Sequence, residues 1–117
     1  ELSYELVNDE VSLDRLLEML AKEKEVCVDT ETTALDPMQA SLVGVGFCIE
    51  PKKAWYIPLN GAIDRAAVLS KLKALLENRH VAFYGHNLKY DYHVFMNEGI
   101  KIANIAFDTI LASYILN

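Results

Sequence analysis

No stretch of this chain is apolar for the about 20 consecutive residues that a membrane helix needs. Its opening residues, Glu1-Leu2-Ser3-Tyr4, have no basic segment followed by an apolar one, so neither a span nor a secretory leader is expected. The chain reads as soluble and cytoplasmic. Cysteine is scarce too: Cys27 and Cys48 stand singly inside expected strands, giving neither a disulfide framework nor a thiolate metal motif, and each should behave as a small buried hydrophobe. Positive charge is the third shortage. With 11 Lys and Arg against 17 Asp and Glu, the net charge is −6, which disfavours a surface that grips phosphates over a wide area. An enzyme acting on nucleic acid would need local basic groups, metals or a partner domain to supply attraction. Repeats and low-complexity segments are absent. The chain also begins on Glu1 rather than Met, and it stops two residues after Ile115, inside an expected helix with no glycine, proline or polar tail. It reads as a piece of a longer protein.

What is present is enough apolar material, 52% of 117 residues, for one domain with a real core. The chain is organised around the run Val26-Cys27-Val28-Asp29-Thr30-Glu31-Thr32, which breaks at Asp36-Pro37. Alternate strand side chains share a face, so Asp29 and Glu31 project together with Cα atoms roughly 6.5–7 Å apart. Adjacent carboxylates repel, and a divalent cation between them is the economical remedy. Oxygen-only donors suit magnesium or manganese rather than tetrahedral zinc. An isolated Asp-x-Glu is nonetheless a common surface pattern, and later residues must decide.

Taken in order, Tyr4 to Val7 predicts a strand, and Asn8-Asp9 offer caps for a helix to about Lys24 whose stripe is Leu13, Leu16, Leu17 and Leu20. Val43, Val45, Phe47 and Ile49 alternate with Gly44, Gly46 and Cys48, leaving one nearly bare face that a packed helix would approach. Ala54 to Leu59 is the next strand, which Pro58 either puts at an edge or ends. Short connections make these three sequential strands antiparallel. Asp64 caps a helix that buries Val68, Leu69, Leu72, Leu75 and Leu76 and turns Arg65, Lys71, Lys73 and Glu77 to water. Val81 to Tyr84 is a strand, Gly85-His86-Asn87 turns it into a helix ending at Gly99, and the alternation predicts parallel pairing. Ile100 to Phe107 holds a short extended piece, and Asp108 caps a last helix.

Asp91 falls in the first turn or so of the helix after a core strand, in the crevice where open α/β sheets bind ligands and where the helix dipole favours a carboxylate. Asp29-Thr30-Glu31-Thr32, Asn87-Leu88-Lys89-Tyr90-Asp91 and Phe107-Asp108-Thr109 with Ser113 to Asn117 together resemble the 3′→5′ exonuclease domain of bacterial DNA polymerase I. The resemblance runs along essentially the whole chain. It implies a ribonuclease H-like mixed sheet, three antiparallel strands followed by parallel ones with helices on both faces. It also implies that two divalent ions, Mg²⁺ or Mn²⁺, serve hydrolysis of the terminal phosphodiester at a single-stranded DNA 3′ end. Asp29 resembles the bridging ligand, Glu31 a ligand of the water-activating ion, and Asp91 the acid serving the other ion. Thr30, Leu35, Asn87, Lys89 and Tyr90 resemble residues lining the DNA strand near its end, with Leu35 as an apolar wedge. The implied setting is a bacterial cytoplasm, beside the nucleoid, and the implied partner is the polymerase domain of the same parent protein.

The family's third motif places a tyrosine four residues before a fourth acid, and no tyrosine here has an aspartate at that offset. Residues 1–117 are therefore expected to be the N-terminal part of the domain, which alone binds the water-activating ion weakly and hydrolyses poorly. His86 and Asp91 have the histidine-to-aspartate spacing of a related subclass, but in the wrong chain order. Two alternatives remain: an RNA-trimming exonuclease of the ribonuclease D kind, and a polymerase scaffold that has lost catalysis. Three mutually repelling acids would burden a scaffold. Neutralising two of them, as Asp29→Asn with Glu31→Gln, should therefore raise the urea midpoint in metal-free buffer; a fall would count against a metal site.

Overall fold

The computed structural model describes residues 4–34, 36, 38–50 and 53–106. The last expected helix, with Asp108, and the wedge candidate Leu35 lie outside them. Among the described residues five strands form one sheet in the order β1-β4-β3-β2-β5, where β1 is Tyr4–Leu6, β2 Glu25–Thr32, β3 Leu42–Glu50, β4 Lys53–Pro58 and β5 Ala82–Tyr84. β2, β3 and β4 pair antiparallel, and β5 joins β2 in parallel, as the sequence predicts. β1 lies parallel to β4, so β4 is interior and Pro58 ends it rather than marking an edge. The extended piece after residue 100 contributes one bridge, Ile105 to Phe83.

Among the described residues three helices form on amphipathic stretches, the first two with a side-chain cap at their start. α1 (Glu10–Leu20) starts on Asp9, whose carboxylate accepts from the Ser12 amide at 2.8 Å and its hydroxyl at 2.9 Å. It ends at Leu20 rather than near Lys24, since beyond Leu20 no apolar residue continues the stripe through 21–24. α2 (Arg65–Leu76) starts on Asp64, and α3 (Leu88–Asn97) closes at Gly99, whose φ of 81° is the left-handed stop that glycine takes without strain. Leu13, Leu16 and Leu20 of α1, Val68, Leu72 and Leu76 of α2, and Leu88, Val94 and Phe95 of α3 share one core with Val26, Val28, Val45, Phe47, Ile57 and Phe83 of the sheet. At about 25 cal/mol per Å² of apolar surface, this shared burial is the main force holding the helices to the sheet.

Two expectations are corrected. Among the described residues the bare face of β3 meets aromatic rings rather than a helix: a Cβ on Gly44 would overlap the Tyr56 phenol, and one on Gly46 would lie 3.2 Å from the Tyr4 ring. Arg65 does not face water freely. Its Nη2 donates to the Leu42 carbonyl at 3.1 Å, the Ser41 hydroxyl at 3.3 Å and Glu98 Oε2 at 2.9 Å, clasping the start of β3 between α2 and the end of α3.

The register of β5 matters most. It pairs with β2 only from Glu25 to Cys27, so residues 28–32 of β2 keep a free edge on that side. The chain leaves through Gly85, where a Cβ would run into the Val28 carbonyl oxygen. Gly85→Ala should accordingly cost about 1–3 kcal/mol in urea unfolding, because backbone must move. Gly44→Ala should cost less than about 1 kcal/mol, because the half-exposed Tyr56 ring can swing away. Equal losses would contradict this packing.

Candidate metal centre

β2 carries Asp29 and Glu31 on the face that also bears Cys27, and Thr30 on the opposite, helix-covered face with Val26 and Val28. Both acids are exposed. They line a hollow of about 520 Å³ with Tyr4, Leu6, Gly46 and Tyr56. Burial, followed by Asp29, raises the pKa of the Tyr4 phenol, and burial, followed by Glu31, raises that of Tyr56; both stay protonated at neutral pH as donors beside the acids. Neither tyrosine was singled out from sequence. The available signal was strand parity, which puts Tyr56 on the side of β4 opposite the buried Ile57.

Asp91 arrives from the other side. α3 begins where β5 has stopped, so its first turn reaches the free edge of β2 and Asp91 becomes the one buried charged residue among those described, 1% exposed. Thr30 Oγ1 donates to Asp91 Oδ1 at 2.5 Å, while Oδ2 is buried with no hydrogen-bond partner among the described residues. Burial pushes the Asp91 carboxyl up to about 7; the Thr30 hydroxyl and amide pull it down, and the charge of Asp29 pushes it further up.

Glu31 also borders a second hollow of about 410 Å³ with Thr30, Thr32, Thr33, Ala34, Asn87 and Tyr90. Here the Tyr90 hydroxyl donates to the Ala34 carbonyl at 2.6 Å and lies 2.6 Å from the Thr32 hydroxyl, tying the segment after β2 to α3. Asn87 precedes α3 without a side-chain cap bond, and Lys89 is exposed. Thr30, Asn87 and Tyr90 are thus brought together with Glu31; Lys89 is not among the residues lining either hollow. The two cysteines sit opposite each other in register without a disulfide, and burial, with Cys48, Asp29 and Asp91 adding, pushes the Cys27 thiol up to about 12. A neutral thiol of that kind is an inert hydrophobe.

Among the described residues no group of three or more His, Cys, Asp or Glu is gathered tightly enough to hold a metal. The partial set nonetheless fits a hard divalent cation. Its donors are all carboxylate oxygens, and Asp91 Oδ2 is a buried acceptor without a hydrogen-bond partner among the described residues, on a carboxyl that feels the charge of Asp29. Since Asp29 and Glu31 are exposed, water screens their repulsion, and the buried Asp91 carries most of the electrostatic cost.

The titration of Asp91 has a definite sign. Its folded pKa lies above the ordinary 3.8, so the stabilisation is complete below pH about 4 and is lost as pH rises through about 7. In EDTA, the stability of the unmodified chain minus that of Asp91→Asn should fall by on the order of 4 kcal/mol across that window. A flat difference in urea unfolding would refute the burial.

A family model described as 3′-5′ exonuclease matches residues 4–117. DNA polymerase I of Pseudomonas aeruginosa is 38% identical over 100% of this chain and 14% of its own length. DNA polymerase I of Borreliella burgdorferi is 30% identical over 97% of this chain and 13% of its own length. The chain therefore spans about one seventh of these relatives. Among solved structures, ribonuclease D of Trypanosoma brucei superposes with a TM-score of 0.72 at 16% identity, covering 87% of this chain and 36% of that one, a likeness of fold.

Proposed function

The chain belongs to the 3′-5′ exonuclease family that matches it over residues 4–117, and on that premise we propose that it forms the proofreading exonuclease of a bacterial DNA polymerase I. The substrate is the 3′ end of single-stranded DNA, and the reaction is hydrolysis of its terminal phosphodiester. The observation that carries this reading is the meeting of Asp91 with Thr30 and Asp29 across 61 residues of sequence at the open end of β2.

Asp29, Glu31 and Asp91 would hold divalent ions, Mg²⁺ or Mn²⁺. When bound, such ions activate water and neutralise charge on the departing oxygen. The protein's own side chains do the rest. Tyr90 is spent on Ala34 and Thr32, so it shapes the hollow where the terminal nucleotide rests and presents its ring rather than its hydroxyl. Asn87 offers an amide free of helix capping to that nucleotide, and exposed Lys89 meets the phosphate backbone nearby. Leu35 follows Ala34 and takes the wedge role against the last base. With so little positive charge of its own, the domain relies on the parent polymerase to deliver the strand. No helix among the described residues is long and apolar enough to cross a membrane, and the cytoplasm beside the nucleoid is the setting this function requires.

Ribonuclease D shares the fold, but the relatives that share the sequence are polymerases. The test is Mn²⁺ titration by calorimetry together with trimming of 3′-labelled single-stranded DNA and RNA, on this chain and on the parent protein. The parent should trim DNA from its 3′ end in preference to RNA. Asp29→Asn, Glu31→Gln and Asp91→Asn should each lower that rate by roughly a hundredfold or more, at least matching the loss from disturbing the partners of metal ligands. Trimming that survives all three substitutions would refute the assignment.

A further inference from the structure

Thr30 stands between the two acids in sequence but on the other face of the strand, and it enters the site as a partner of Asp91. We propose that Thr30 is a positioning residue of the metal centre: its hydroxyl fixes one oxygen of Asp91 and leaves the other as that carboxylate's free ligand atom. This rests on the exonuclease reading above and gives Thr30 a task other than touching DNA.

Three observations converge on it. Thr30 Oγ1 donates to Asp91 Oδ1 at 2.5 Å, within the range of a charge-assisted bond. Asp91 Oδ2 is buried and has no hydrogen-bond partner among the described residues, in a residue only 1% exposed. Gly85, where a Cβ would stand 3.9 Å from that same oxygen and run into the Val28 carbonyl, is what lets α3 come so close. A hydroxyl has a single proton, and here Asp91 takes it; what remains on Thr30 are acceptor lone pairs, which a DNA phosphate does not seek. The choice of threonine also has a reason. Its branched Cβ restricts χ1, so with the side chain on the core-facing side of β2 the hydroxyl keeps one direction.

The first readout is Mn²⁺ affinity of the chain by calorimetry, without substrate. Thr30→Val, which keeps the shape and removes the proton, should weaken binding roughly ten- to a hundredfold, the usual effect of losing the partner of a metal ligand. Thr30→Ser should restore most of it, which a merely structural role in packing the methyl would not do. Should the valine variant not fold, Thr30→Ala gives the same comparison with serine. The second readout is binding of a single-stranded oligonucleotide in EDTA, which Thr30→Val should leave unchanged. Undiminished Mn²⁺ affinity in Thr30→Val, or a loss confined to oligonucleotide binding, overturns the inference and leaves the exonuclease reading standing. Absence of any Mn²⁺ uptake by the unmodified chain overturns the metal centre and this inference with it.

Discussion

The site depends on a mismatch in length between two neighbouring strands. β2 has eight residues and β5 three, so the parallel pair ends at Cys27 and Tyr84 and the rest of β2 has an unpaired edge. Such an edge ordinarily wants water or another strand. Here the first turn of α3 fills the space, and with it comes a carboxylate. Had β5 continued as far as β2, the ladder would occupy the edge beside Thr30 and Asp91 would have nowhere to go.

This arrangement trades stability for a poised charge. The core contributes through large residues such as Phe47, Phe83 and Phe95, all fully buried, and against that background one carboxylate is held where its ionised form is penalised. The Thr30 hydroxyl offsets part of the penalty, and the free Oδ2 carries the rest. Buried charges left incompletely paired are a common mark of functional sites, since a purely structural interior gains by removing them. The clasp of Arg65 on Glu98 and the Leu42 carbonyl joins opposite charges and secures the end of β3 that lies beside β2's overhang.

Much of this was legible in the chain. Alternation and helical stripes located the strands and helices, and motif singled out Asp29, Glu31 and Asp91 as candidate ligands. What stayed hidden has one cause: periodicity reports which face a residue occupies and not which distant residue meets it. Gly44 and Gly46 announced a close approach, yet the occupants, Tyr56 and Tyr4, are set by the register of β4 and β1. Arg65 looked like an ordinary exposed helix charge because Glu98, its partner, comes 33 residues later. Thr30 entered through the resemblance, as a residue lining the DNA strand; that its side chain points to the helices follows from parity, but its bond to the Asp91 carboxylate there does not.

The separation of 61 residues between Thr30 and Asp91 also bears on how the molecule is made. Closing so long a loop costs entropy that only the intervening β3, β4, α2 and β5 repay. During synthesis the two motif acids of β2 emerge first and must wait, exposed and harmless, until the whole sheet and the third helix exist. A partly folded chain thus has the Asp-x-Glu strand without the buried partner, and Asp91 joins it only with the finished fold.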